Sequence, residues 1–252
     1  MFPLTSLDEQ LGLLWLERLG ALWHEPLAQA AAWSVVTIVL YFMAKRVHQR
    51  WPRWWLMPLA VAPALLMIAA LALNVSYHDY IRGTHWLVAL LGPATVAFAV
   101  PIYEQRAVIR RRWPLLLVGM IAGSLTAVLT SWGLAYALGI DGALRLSLLP
   151  RSMSTPFAME VSGEIGGIPD LTAVFVVLTG IMGAAFGDIV LARLPLRSKI
   201  ATGASFGVGA HGAGTARAHQ IGREEGAISG LVMVLVGLMN VMVAPLIMQF
   251  VH

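Results

Sequence analysis

Long windows without charged residues recur along the whole chain and constrain its fold more than any other feature. A helix needs about 20 mostly apolar residues to cross the roughly 30 Å hydrocarbon core of a bilayer. Only 12% of the 252 residues are charged, whereas a soluble domain carries about 25%. The sequence therefore predicts an all-α polytopic membrane protein with about 7–8 transmembrane segments. The charge-free windows are 26–44, 54–77, 83–103, 113–140, 171–187, 200–216 and 226–251, with a weaker one at 146–168.

Basic residues in the short loops predict the orientation of these spans. The loops 45–53, 104–112 and 193–199 hold most of the Lys and Arg residues, and such loops face the cytoplasm. The N-terminus is then expected outside and the C-terminus in the cytoplasm. With these three loops on the cytoplasmic side, the number of crossings predicts that 146–168 does not simply cross. It either dips in and returns on the same face or lies buried as half a helix.

The first 25 residues precede what we expect to be a single transmembrane domain over 26–252. This leader, 1–25, carries a partial apolar stripe that Asp8 and Arg18 interrupt. It is expected to lie on the bilayer as an interfacial amphipathic helix or to form a frayed leader.

Two triplets of spans share one layout, which predicts inverted repeats over about 54–140 and 146–251. The middle span of each, 83–103 and 200–216, is interrupted by Gly or Pro. Interrupted segments at corresponding positions of inverted halves indicate a transport site, because their freed backbone groups are tolerated only around a cavity or a ligand. We expect these two discontinuous helices to meet inside the bilayer. The alternative is that the small residues only allow close helix packing.

Polar side chains within the apolar segments are the candidate site. Arg151 could hold a carboxylate through its planar fork, or it could lie at the headgroups. His211 titrates near neutrality, so it and Glu160 are candidates for proton coupling. His211 could instead bond a carbonyl of the broken helix, and Glu160 could lie on an exposed helix face. The predicted substrate-binding residues are Arg151, Ser152, Ser154, Thr155, Thr95, His211, Thr215 and Arg217.

Arg217 serves as a substrate anchor or as an interfacial anchor, and the sequence leaves both open. Asp188 is expected to pair with the basic cluster of Arg193, Arg197 and Lys199. Neither a nucleophile–base arrangement nor a phosphate-binding loop is recognisable, and His211 and His219 lack a carboxylate pair at ligand spacing. The sequence thus predicts no enzyme, no cofactor and no metal site. With no cysteine, disulfides and thiol chemistry are excluded. The basic loops match membrane topology and anionic lipid, so no nucleic-acid partner is expected.

A series of short motifs runs in order between about residues 55 and 250. They are SYHDY at 76–80, LGPATV at 91–96, LLPRSMSTP at 148–156, GGIP at 166–169, GIMGA at 180–184, HGAGTARA at 211–218 and EGA at 225–227. In these motifs the chain resembles the LrgB/CidB family. Two departures bear on the site: the family usually has Lys in place of Arg151, and Gly-Thr-Ala-Ser in place of residues 207–210.

The resemblance implies a bacterial inner-membrane protein long described as antiholin-like. In that description it acts with a small LrgA/CidA-type membrane partner to modulate murein hydrolase activity and lysis. A related plastid protein exchanges glycolate and glycerate, and bacterial members resemble it in handling pyruvate-like acids. The favoured expectation is a transporter of small monocarboxylates such as glycolate, glycerate, lactate or pyruvate, with a coupled proton as an open alternative. The other expectation is the lysis regulator. The implied partners are a small organic acid, the lipid bilayer, the LrgA/CidA-like protein and a second copy of the chain in a dimer.

Overall fold

The computed structural model describes residues 26–194 and 198–251, and within these ranges the chain is helical. The predicted leader and Arg197 lie outside the described residues. The chain divides into two compact units, which meet in sequence at Leu90 and Leu91. The helices are α1 (Pro26–Arg50), α2 (Pro58–Ala72), α3 (Tyr77–Ala89), α4 (Leu91–Ala97), α5 (Ala99–Glu104), α6 (Arg106–Ala137), α7 (Gly142–Leu148), α8 (Thr155–Glu164), α9 (Pro169–Arg193), α10 (Lys199–Ile221) and α11 (Arg223–Val251).

Five segments of the described chain are long and apolar enough to cross a membrane: Leu27–Arg50, Tyr77–Glu104, Arg106–Ala137, Pro169–Arg193 and Arg223–Leu246. A shorter apolar helix, Pro58–Ala72, adds to them. The prediction of a helical, multi-pass membrane protein is confirmed at this level. These segments are fewer than the 7–8 spans that the sequence predicted.

The first unit packs α1 against α2 and α3. The ring of Trp33 meets the ring of Tyr80 edge to face at 5.5 Å, and the indole nitrogen of Trp86 donates to the hydroxyl of Ser34 at 2.8 Å. Gly83 allows the closest approach, since a Cβ there would lie 2.6 Å from the Cα of Ala30. Aromatic contacts and one close backbone contact therefore hold α3 on α1.

In the second unit, α10 reverses direction at His211. The φ and ψ of His211 are 37° and −118°, which interrupts the helix. In a straight helix residues 206 and 214 would lie about 12 Å apart. A Cβ on Gly214 would instead collide with the carbonyl oxygen of Phe206. Residues 199–210 and 212–221 are thus the entering and return arms of a helical hairpin, hairpin 2.

Contacts with α11 show that the two arms run in opposite directions. Along the entering arm the contacted positions on α11 advance, and along the return arm they recede. The contacts are those of Gly203 with Ile228 and of Gly207 with Met233 on the entering arm, and of Thr215 with Ser229 and of His219 with Gly226 on the return arm.

Both ends of hairpin 2 lie at the same level. The Nζ of Lys199 at its start lies 2.7 Å from the Oε2 of Glu224, just beyond its end. The predicted crossing over 200–216 is therefore wrong, because this segment enters and returns. Length and lack of charge are shared by a span and a helical hairpin, so the window alone did not separate them.

Residues 142–164 form a second reversal, hairpin 1, made of α7, a 3-10 turn at Leu149–Ser152 and α8. The backbone nitrogen of Ile168 donates to the hydroxyl of Ser147 at 2.7 Å. A Cβ on Gly167 would lie 3.0 Å from the Ser147 nitrogen. The chain thus leaves the level of Ser147 and comes back to it, in agreement with the predicted return of 146–168.

The apolar core of the second unit surrounds hairpin 1. Its buried members are Leu149, Met153, Phe157, Ala158, Val161, Ile165, Val176 and Ala244, with Phe98 and Val128 packed against them. They come from hairpin 1, α9 and α11, and this packing fixes the turn at Leu149–Ser152 in the interior.

Candidate functional site

The tips of the two hairpins meet. Helix α10 packs against the 3-10 turn of hairpin 1, and Val208 of its entering arm lines one cavity with Ser152 of that turn. The imidazole of His211 faces the backbone carbonyl of Arg151. At about 1.5 Å per residue, the entering arm 199–210 is about 18 Å long and the return arm 212–221 about 15 Å. That is about half of a 30 Å hydrocarbon core, so arms of this length place the tips near mid-depth.

Arg151 is held by hydroxyl groups of two neighbouring helices. Its Nε donates to the Oγ of Ser131 on α6 at 2.6 Å, and its Nη1 donates to the Oγ1 of Thr179 on α9 at 3.4 Å. These bonds orient the guanidinium without neutralising it, and they leave Nη2 for a ligand. A cation held by neutral groups in an apolar interior favours an anion as its partner.

Two buried polar atoms at the tips have no hydrogen-bond partner among the described residues. They are the Nε2 of His211 and the Oγ of Ser154, whose residues are only 4% and 6% exposed. Buried polar groups are normally satisfied, and an unsatisfied one needs an explanation such as water or a ligand. One such atom at each tip therefore indicates a site for a polar guest.

Both return arms begin at the tips. Ser154 is the N-cap residue of α8 and its side chain makes no capping bond, and the return arm of hairpin 2 begins directly after His211. The first N–H groups of a helix lack intrahelical partners and carry partial positive charge, which attracts anions. Two such N-termini and the Arg151 guanidinium thus lie on hairpins whose tips are in contact.

A small cavity of about 10 Å³ opens beside the tips, between α6 and α11. It is lined by the hydroxyl-bearing residues Ser124 and Ser152 and by Asn240, with Val208 of hairpin 2 on another wall. The Nδ2 of Asn240 donates to the Oγ of Ser124 at 3.0 Å. A cavity of about 10–15 Å³ accepts one water-sized group, so the cavity can take water or one polar group of a ligand.

Helix α9 packs closely against the tip of hairpin 2. A Cβ on Gly180 of α9 would lie 2.8 Å from the Cε1 of His211. A Cβ on Gly183 would lie 2.6 Å from the carbonyl oxygen of Gly209. Glycine at 180 and 183 therefore lets α9 approach the interrupted backbone of α10.

Not all predicted site residues lie at the tips. Thr95 is on α4, where its hydroxyl donates to the carbonyl of Leu91 at 2.7 Å. Helix α4 packs against α8 and α5 against α11, whereas the tip of hairpin 2 packs against the turn of hairpin 1. The break in 200–216 thus faces 149–152, not the interrupted segment 83–103.

Two further candidates, Glu160 and Thr215, lie along hairpins rather than at the contact of the tips. Glu160 is exposed on α8 and makes no ion pair within the described residues. Thr215 shares a 3.1 Å hydrogen bond with Ser229. Thr155, by contrast, begins α8 directly beside Ser154 at the tip.

Arg217 is paired with Asp188. Its Nε lies 3.0 Å from both carboxylate oxygens of Asp188, and its Nη1 donates to the Oε1 of Gln220 at 2.7 Å. The ion pair joins the return arm of hairpin 2 to α9. The described partner of Asp188 is therefore Arg217, not the expected basic cluster, of which Lys199 pairs with Glu224.

Four residues around the tips were not predicted from the sequence: Ser131, Thr179, Gly180 and Asn240. Each lies in a long apolar helix, where single hydroxyls, amides and glycines are common. The spacing of Gly180, Gly183 and Gly187 on one face of α9 was the available signal, because small residues in membrane helices mark close approach. No group of three or more His, Asp or Glu side chains within the described ranges could hold a metal ion.

The motifs and the fold agree with a single family. Residues 37–250 match the LrgB-like family, and the chain belongs to it. It is 39% identical to the "Uncharacterized protein YwbG" of Bacillus subtilis strain 168, over 85% of this chain and 96% of that protein.

Two further relatives cover similar shares. The "Holin-like protein CidB" of Staphylococcus aureus strain N315 is 30% identical over 87% of this chain and 96% of its own length. An uncharacterized protein of Haemophilus influenzae strain Rd is 33% identical over 87% of this chain and 95% of its own length. No solved structure matches the chain.

Proposed function

We propose that the chain is a membrane transporter of a small monocarboxylate, which binds where the two hairpin tips meet. The observation that carries the proposal is the packing of hairpin 2 against the turn of hairpin 1. That turn carries the Arg151 guanidinium, which bonds neutral hydroxyl groups, and Ser154 and His211 each have a buried polar atom with no partner among the described residues. Interrupted helices with N-termini turned toward an anion are a recurrent feature of transport sites.

In this proposal Arg151 holds the carboxylate, and Ser152, Ser154 and Thr155 bind the remaining oxygens. His211 is the candidate for a coupled proton, because its Nε2 is buried at the tip. Glu160 is a weaker candidate, since its side chain is exposed on α8. Arg217 is not proposed to contact the substrate directly, because its guanidinium pairs with Asp188.

We propose an altered form of the predicted inverted arrangement. Helix α6 followed by hairpin 1 and helix α9 followed by hairpin 2 have the same layout in opposite directions, if the basic loops before α6 and after α9 both face the cytoplasm. Because hairpin 2 returns to its starting level, α11 then leaves the cytoplasmic face and ends outside. In this proposal the C-terminus lies on the side opposite to the one expected from a crossing at 200–216.

Uptake by purified protein in proteoliposomes tests the proposal. Saturable uptake of a C2 or C3 monocarboxylate is expected, and Arg151→Ala and His211→Ala are expected to lower it. Thermal stabilisation across a panel of such acids identifies the best ligand, since a ligand that binds only the folded state raises its stability by mass action. Uptake that is unchanged in both variants would refute these residue roles.

A second candidate function is a holin-like regulator of lysis that acts with a small LrgA/CidA-type membrane partner. The name of the Staphylococcus relatives, "Holin-like protein CidB", supports this function more directly than it supports transport. A lysis regulator that does not transport predicts normal control of autolysis in cells that carry Arg151→Ala, and no saturable uptake by the wild type. A transporter predicts saturable uptake by the wild type and lower uptake by Arg151→Ala.

A further inference from the structure

A cleft of about 420 Å³ opens in the second unit, between α4–α5 on one side and α11 with the return arm of hairpin 2 on the other. Its lining includes Phe98, Glu104, His219, Arg223, Gly230 and Met233. Arg223 is the first residue of α11, and ten further residues lead to Met233. The cleft therefore extends about 15 Å along α11 from its first residue.

The deep end of the cleft lies one helical turn from the tip of hairpin 2. The Sδ of Met233 lies 3.9 Å from the Oγ1 of Thr215, and Thr215 is one helical turn after His211. The cleft and the tip region thus adjoin opposite ends of the same helical turn.

The lining changes from ionisable to small and apolar along this depth. Glu104, His219 and Arg223 stand at the mouth, where charged groups keep water. Farther in, Gly226, Ala227 and Gly230 of α11 line the wall. Because these residues have minimal side chains, the cleft stays open between Phe98 and α11.

We propose that this cleft is the cytoplasmic half of the substrate pathway, filled by water and entered by the small carboxylate anion. The inference rests on the proposed transport function and adds the route by which the tip site is reached from inside. The basic residues that follow Glu104 in the 104–112 loop assign the mouth to the cytoplasmic face. An acyl chain of a lipid is the competing occupant, and it makes the cleft inaccessible to a charged reagent.

Labelling of a single thiol in inverted membrane vesicles tests the assignment. The chain has no cysteine, so Gly230→Cys introduces the only thiol. A Cβ there would make an ordinary contact, 3.6 Å from the Cγ2 of Thr215. Ala227→Cys, one turn nearer the mouth in the same cleft, is the second variant. Phe186→Cys on α9 is the control: Phe186 lies seven residues from Arg193, as Gly230 lies seven from Arg223, and its side chain is 54% exposed.

The reagent is an anionic, membrane-impermeant methanethiosulfonate added to the cytoplasmic side. Gly230→Cys and Ala227→Cys are expected to react and Phe186→Cys is not. An acid that the wild type transports, at about ten times its dissociation constant, is expected to slow the reaction about tenfold by mass action. Unreactive thiols at both cleft positions, or labelling that the transported acid does not slow, would overturn the pathway. Either result alongside wild-type uptake leaves the transport proposal standing, whereas absence of wild-type uptake overturns that proposal itself.

Discussion

The imidazole of His211 faces the backbone carbonyl of Arg151, so the two hairpins touch at their tips. Neither residue lies in a long apolar helix, and each follows an arm that is too short to cross a bilayer. The contact joins the two least regular parts of the second unit, where backbone groups released from helices become available to a ligand.

Substitution of Gly180 by alanine is expected to displace the His211 imidazole. The added methyl group would lie 2.8 Å from the Cε1 of His211, and overpacking in a tight interior costs about 1–3 kcal/mol. Uptake in proteoliposomes should fall while the protein still inserts. Gly133→Ala on α6 is the matched control, because a Cβ there meets nothing within 4 Å. Equal effects of the two substitutions would contradict the close packing of α9 on the tip.

Arg151→Lys is expected to weaken substrate binding even though the charge is retained. Lysine cannot reproduce the planar fork, so it cannot bond Ser131 and Thr179 together while also facing a ligand. Loss of one hydrogen bond to a charged group costs about 1.5–3 kcal/mol, which corresponds to about 10- to 100-fold in affinity. The dissociation constant from thermal-shift titration is the measurement. An unchanged constant would show that the planar fork of Arg151 is not needed to hold the carboxylate.

Asn240→Ala is expected to lower stability by about 1–3 kcal/mol, because it removes a buried amide that links α6 to α11. The Nδ2 of Asn240 donates to Ser124 at 3.0 Å and to the carbonyl of Val236 at 2.8 Å. Thermal unfolding in detergent measures the loss. Ser205→Ala serves for comparison, since its exposed hydroxyl bonds only the carbonyl of Ala201 four residues earlier. A Ser205 effect as large as that of Asn240 would argue against this link.

Residues on either side of hairpin 2 are expected on the same face of the membrane. Single cysteines at Ser198 and Arg223 should react with an impermeant reagent from the same side of sealed vesicles, and a cysteine at Asp141 from the other side. The reason is the 2.7 Å ion pair of Lys199 with Glu224, which holds the two ends of the hairpin together. Labelling of Ser198→Cys and Arg223→Cys from opposite faces would show that 200–216 crosses the membrane.

Much of the fold follows from the sequence because hydrocarbon thickness sets the length of a spanning helix. The windows at 26–44, 113–140 and 171–187 correspond to α1, α6 and α9, and loop charges alone indicated that 146–168 does not simply cross. The reversal at His211 did not follow from these signals. A glycine-rich apolar segment suits both a span and a tight hairpin, and contacts such as that between Gly214 and Phe206 separate the two.

The site was predictable in part. Arg151, Ser154 and His211 are polar residues in apolar segments, and the structure places all three at the tips. The partners of Arg151 and Arg217 were not predictable, because each pairing joins helices that are distant in sequence: Arg151 to Ser131 and Thr179, and Arg217 to Asp188. Contacts of this kind depend on how the hairpins pack, which local sequence does not specify.

Short-range cross-linking of the two tips tests the account most directly. Ser152 and Val208 line the same small cavity from different hairpins, so the double variant Ser152→Cys/Val208→Cys in this cysteine-free chain should be joined by a short bifunctional thiol reagent. Intact mass should show one linker and no free thiol, whereas the control pair Ser152→Cys/Phe186→Cys should carry two singly attached reagents. Two independently modified thiols in the Ser152/Val208 pair would show that the tips do not meet.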